Sequence, residues 1–126
     1  MSKSFFSISQ YSSVYEDFIA SISEDKELKA AVIVTVIKLR EQGNKLGMPT
    51  SEHLEDGIFE LRPRTSIRQA RLLYFFKKTE RTAVIVHCFI KKTQTVPREC
   101  IELAKKRRQE LEALDLRKRG SNGKAY

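Results

Sequence analysis

The residues with the most chemistry to offer lie between Ile58 and Glu99. Glu60, Arg62, Arg64, Arg68, Arg71, Lys91 and Lys92 are threaded through three short apolar runs, with Tyr74 and Thr93 among them and His87 inside the last run. Cations gathered on a small sheet do three kinds of work. They hold a phosphate backbone by charge, and they stabilise the extra negative charge of a pentavalent phosphorus. A lysine crowded by other cations also loses proton affinity, because each positive neighbour disfavours its charged form, and such a lysine serves as a general base near neutral pH. RNA carries its own nucleophile, the 2′-hydroxyl, so its cleavage needs in-line geometry, a base and charge stabilisation but no metal. Each charge also has a plainer reading as solvated sheet surface or as half of an ion pair, such as Glu60 with Arg62 or Arg71. His87, in VIVHCFI, is a further acid–base candidate, although a histidine in a core strand is more often packed and hydrogen-bonded. His53 reads as a surface loop residue.

These side chains must be positioned by strands. Ile58–Pro63 alternates, with Phe59 and Leu61 on one side and Glu60 and Arg62 on the other. Arg68–Lys77 and Thr82–Ile90 follow, joined by a turn at residues 78–81, and the near-continuous apolarity of the last run predicts a central strand covered on both faces over part of its length. Short connections make the three an antiparallel meander. Ahead of them, Phe5–Ser9 predicts a first strand. Tyr11, Val14, Tyr15, Phe18 and Ile22 fall on one face of a helix. A second helix is predicted over residues 26–42, capped by Asp25, stopped by Gly43, and buried along Leu28, Val32, Thr35, Val36 and Leu39. The stretch 43–57 reads as irregular. After Pro97 a third helix buries Cys100, Leu103, Ala104, Leu111 and Leu114. The predicted class is α+β, in the order β-α-α-β-β-β-α, and helices on one face of the meander would leave its other face open.

The chain has 126 residues, enough for one core. Residues 1–114 read as a single domain and 115–126 as a basic, irregular tail. The net charge of +8 is unevenly spread. Residues 1–61 hold 6 Lys and Arg against 10 Asp and Glu, whereas residues 62–126 hold 18 against 6, the electrostatic footprint of a polyanion partner on one side. Cys88 and Cys100 are too few and wrongly spaced for a disulfide scaffold or a zinc site and read as free thiols in a reducing compartment. There is no glycine-rich phosphate loop, no GxSxG and no apolar run long enough to span a membrane. No cofactor or metal is expected, and the cytoplasm is the expected location.

The segments ELRPR, QARLLYFF and VHCFIKKTQTVPRECIELAKKR, in this order and spacing, resemble the phage-derived HigB-like branch of the RelE/ParE toxin superfamily, over most of residues 54–108. The resemblance implies a RelE-like fold, with helices packed on one face of a curved antiparallel sheet, and a small cytoplasmic toxin of a type II toxin–antitoxin pair. It implies mRNA cleavage at the ribosome, neutralisation by a HigA-like helix-turn-helix antitoxin, and contact with operator DNA only through that complex. The family pattern falls on Glu60, Arg62, Arg71, Tyr74, Lys91, Lys92 and Thr93. Arg62 and Arg71 are expected to clamp the scissile phosphate, and Lys91 or Lys92 to act as base or charge stabiliser. Tyr74 is expected to stack on a base or donate a hydrogen bond, with Glu60, Arg64, Arg68 and Thr93 contributing to substrate binding. Cys88 stands where the family commonly has glycine. A ParE-like, non-enzymatic inhibitor of gyrase is the alternative on the same fold, and an inert relative is a third.

Overall fold

The computed structural model describes residues 5–124. Strand β1 (Ser7–Gln10) is followed by helices α1 (Val14–Ser21) and α2 (Lys26–Gln42). Strands β2 (Ser51–Glu55), β3 (Ile58–Leu61), β4 (Ala70–Lys77) and β5 (Thr82–Ile90) come next, and helix α3 (Arg98–Lys124) closes the chain. The five strands form one sheet in the order β1-β5-β4-β3-β2. β2 to β5 are antiparallel neighbours, whereas β1 lies parallel to β5. The α+β class and the interior place of β5, covered on both faces, follow the sequence reading, although β4 is the middle strand and the sheet is mixed rather than wholly antiparallel.

Local chemistry accounts for the helix boundaries. The Asp25 carboxylate accepts the Leu28 N–H at 3.1 Å at the start of α2. Leu28, Val32, Thr35 and Leu39 are its buried stripe. It stops at Gly43, where φ is +54° and a Cβ would sit 2.0 Å from the Phe6 ring, so no other residue fits there without displacement.

The expectation of helices on one face is corrected. α1 and α2 pack Phe18, Ile22, Leu28, Val32 and Leu39 against Leu61, Leu72, Tyr74, Ala83 and Ile85. α3 packs Ala104, with Cys100 and Leu111, on the opposite face against Ile58, Leu73, Phe75, Val84 and Val86. The reason lies in β4 and β5: Leu72 to Phe75 and Ala83 to Val86 are all apolar and buried, so both sides of these strands need cover. Polar bonds fasten α3 in place. Arg107 donates to the Val86 carbonyl at 2.7 Å, and Arg98 and Lys105 both pair with Glu55. The helix continues to Lys124, so residues 115–124 are helical rather than irregular, and Asp115 is tied to Lys77 at 2.9 Å. The remainder of the expected tail, residues 125–126, lies outside the described residues.

Strand β2 was also unexpected. It occupies the second half of the stretch read as irregular, and it pairs with β3 through a two-residue turn at Asp56 and Gly57, with φ of +49° and +77°. Asp-Gly with both φ positive is the turn whose twist matches a hairpin. His53 closes it: its Nε2 accepts the Gly57 N–H at 3.1 Å.

Candidate functional site

β4 runs antiparallel to both β3 and β5, and β2 antiparallel to β3. The starts of β2 and β4 and the ends of β3 and β5 therefore meet at one end of the sheet. Glu52, Arg62, Arg71 and Lys91 stand at those four strand ends. The register places Glu60 opposite Leu73 on one side and Glu52 on the other, and Arg71 opposite Phe89. The Lys91 N–H donates to the Gln69 carbonyl at 2.8 Å, carrying the β4–β5 pairing one residue further.

A bulge in β5 completes the arrangement. Leu73 pairs with His87, but the next pair is Tyr74 with Ile85, leaving Val86 as an extra residue. Side chains alternate along a strand, so one inserted residue turns everything after it to the other face. Before the bulge, Ala83 and Ile85 face α1 and α2; after it, Cys88 and Ile90 do. His87, Phe89 and Lys91 are thereby turned to the face of Glu60 and Arg71, beyond the start of α3.

The centre of the group is the Glu60 carboxylate, on a residue only 4% exposed. Arg71 Nε stands 3.5 Å from Oε2 and Arg62 Nε stands 3.8 Å from Oε1. Oε2 accepts no hydrogen bond within the protein. Burial raises the Glu60 carboxyl above the usual range, against the pull of Arg71 and Arg62. Arg62 also reaches Glu52 at 3.2 Å. Lys91 is lowered from the ordinary ammonium range, by desolvation first and then by the positive charges of Arg71 and Arg62, with Glu60 opposing. Beside this group, a hollow of about 360 Å³ opens between α2 and the strand ends, lined in part by Lys38, Met48, Arg62, Arg64, Gln69 and Arg71.

The structure thus gathers Glu60, Arg62, Arg64, Arg71 and Lys91. Arg71 is 2% exposed, and its guanidinium donates to the Ala70 carbonyl at 2.8 Å and to Gln69 Oε1 at 2.9 Å. It holds Glu60 and sets the local field rather than facing solvent, whereas Arg62 is half-buried and Arg64 exposed. Arg68 is drawn aside to Asp25 at the start of α2, at 3.2 Å. Lys92 and Thr93 are exposed on the connection to α3, where the Thr93 hydroxyl donates to the Thr95 carbonyl at 2.6 Å. Tyr74 is corrected outright: it is 1% exposed on the α1–α2 side, and its hydroxyl shares a 2.5 Å hydrogen bond with Ser51, so no base can stack on it. Burial pushes its phenol up to about 12. His87 is lowered by desolvation and by Arg107, which favours the neutral imidazole. Sequence reasoning missed Glu52, for want of β2, and Phe89, whose facing depends on the bulge.

The family model for phage derived protein Gp49-like (DUF891) matches residues 18–109. The chain belongs to this family. The Gp49-like match runs from α1 into α3 and contains the whole charged group, and the family is related to toxin–antitoxin systems. No curated protein matches this Gp49-like chain. Among its described residues no cluster of His, Cys, Asp or Glu could hold a metal ion, and no helix is long and apolar enough to cross a membrane.

Proposed function

We propose that this Gp49-like chain is the toxin of a type II toxin–antitoxin pair and cuts mRNA on the ribosome. The observation that supports the reading is the convergence of Arg62, Arg64, Arg71 and Lys91 at one end of the sheet around the buried Glu60. Lys91, with its lowered proton affinity, takes the proton of a 2′-hydroxyl. The freed oxygen attacks the adjacent phosphorus, the P–O5′ bond breaks, and the leaving oxygen takes up a proton. Arg62 and Arg64, reaching solvent, carry the charge that develops on the phosphate. Like-charge repulsion from Arg71 adds to desolvation in lowering the proton affinity of Lys91, and Arg71 keeps Glu60 in place. Products carry 2′,3′-cyclic phosphate and 5′-hydroxyl ends. The partners are the ribosome with its mRNA and a HigA-like antitoxin, through which operator DNA is met, all in the cytoplasm.

The test is cleavage of a defined mRNA by the purified chain, with and without programmed ribosomes, followed by end-group analysis. Cutting that depends on the ribosome and leaves 5′-hydroxyl ends is expected, since the ribosome supplies the alignment. Naked RNA cut at full rate, or 5′-phosphate products, contradicts the mechanism.

A further inference from the structure

We infer that Phe89, backed by His87, is a stacking platform for one base of a single-stranded RNA, and that the neighbouring cations hold the phosphate beside it. The inference rests on the nuclease reading and adds the residue that grips the substrate's base. Three observations carry it. First, the bulge at Val86 turns His87, Phe89 and Lys91 to the face that holds Glu60, Arg62 and Arg71, and Phe89 stands directly opposite Arg71. Second, the His87 and Phe89 rings stack with a tilt, 5.3 Å between centroids and 29° between planes, so His87 supports one side of the Phe89 ring. Third, neither ring is fully enclosed: Phe89 packs at the margin of the α3-side core, and both residues stay partly exposed.

The occupant follows from the chemistry. A flat apolar ring with Lys91 two residues further along its own strand, and Arg62 two strands across the same face, matches a nucleotide, whose base has a π face and whose phosphate is an anion. Duplex nucleic acid keeps its bases stacked on one another, which leaves single strands. An apolar protein partner would gain nothing from Arg62 and Lys91. Tyr74 cannot serve instead, since it is sealed on the other side of the sheet.

The experiment uses the full chain and a 2′-O-methylated, uncleavable RNA nonamer carrying 2-aminopurine, whose fluorescence is quenched on stacking. Wild type should quench it on binding. Phe89→Leu, which keeps the apolar packing, should fold with unchanged urea midpoint, lose the quench and bind about tenfold more weakly, within the range for one base–aromatic stack. Phe89→Tyr should restore both. Lys91→Met should weaken binding and keep the quench. If Phe89→Leu binds and quenches as wild type does, the inference is overturned and the nuclease reading stands on its cations alone. If wild type does not bind the nonamer yet cuts ribosomal mRNA, the platform is again overturned; failure of both overturns the two readings together.

Discussion

Arg71→Met isolates the energetics at the heart of the site. Arg71 and Glu60 are almost wholly buried, 3.5 Å apart, and the nearer carboxylate oxygen has no hydrogen bond to fall back on. At that distance, with an effective dielectric of about 20, their attraction is about 5 kcal/mol. Removing one partner of a buried pair costs about 3–5 kcal/mol because a charge is left without compensation. The variant should therefore lose about that much stability at pH 8 in urea unfolding, a large share of the roughly 5–15 kcal/mol a domain possesses. The cost should also depend on pH. Burial already lifts the folded-state Glu60 carboxyl above its ordinary value, and Arg71 opposes that lift. A carboxyl raised in the folded state favours folding fully below its unfolded pKa, and that contribution is lost as pH rises through its folded pKa. Without Arg71 the folded value climbs further, so the penalty at pH 8 should exceed that at pH 5, where Glu60 can take up a proton. Adding Glu60→Gln to Arg71→Met should recover most of the loss. A cost that is equal at both pH values, or a double variant as unstable as the single one, would refute the reasoning.

Other consequences can be checked alongside. Arg62→Gln removes one of the charges that lower Lys91, so its pKa should rise and the ascending limb of the pH–rate profile for mRNA cleavage should move to higher pH. Tyr74→Phe should cost about 1–2 kcal/mol through the lost Ser51 hydrogen bond and leave RNA binding unchanged, as measured by urea unfolding and fluorescence titration. Hydrogen bonds from Arg98 and Lys105 hold Glu55 down to about 2. Glu55→Gln should therefore be less stable than wild type at neutral pH, with the gap closing as pH falls from about 4.5 toward about 2. Burial pushes the Cys88 thiol up to about 12, so alkylation by iodoacetamide at pH 8 should be slow in the native chain and fast in urea, as read by mass spectrometry.

The legible parts of the fold are those that repeat or punctuate. Asp25, the Leu28–Val32–Thr35–Leu39 stripe and Gly43 mark α2 because capping and 3.6-residue periodicity are local. Thr82–Ile90 shows as a strand because nine residues of such apolarity leave little choice. The convergence of Glu60, Arg62, Arg71 and Lys91 was also within reach, since a meander brings alternate strand ends together. What escaped depends on pairing. Ser51–Glu55 (SEHLE) is polar enough to pass for loop, and only the Asp56–Gly57 turn marked it as half of a hairpin. The placement of Tyr74 away from Arg71, and of Phe89 beside it, follows from parity along two strands and a single inserted residue, which composition does not reveal. The position of α3 was hidden because helices adjoining a sheet leave no local sign of which face they take.

The most direct measurement is primer extension on mRNA from cells induced to express wild type or Lys91→Met, with circular dichroism showing that the variant folds. Wild type should produce discrete new 5′ ends within coding sequence, and Lys91→Met should produce none. The same pattern of ends from a folded Lys91→Met chain would contradict the account.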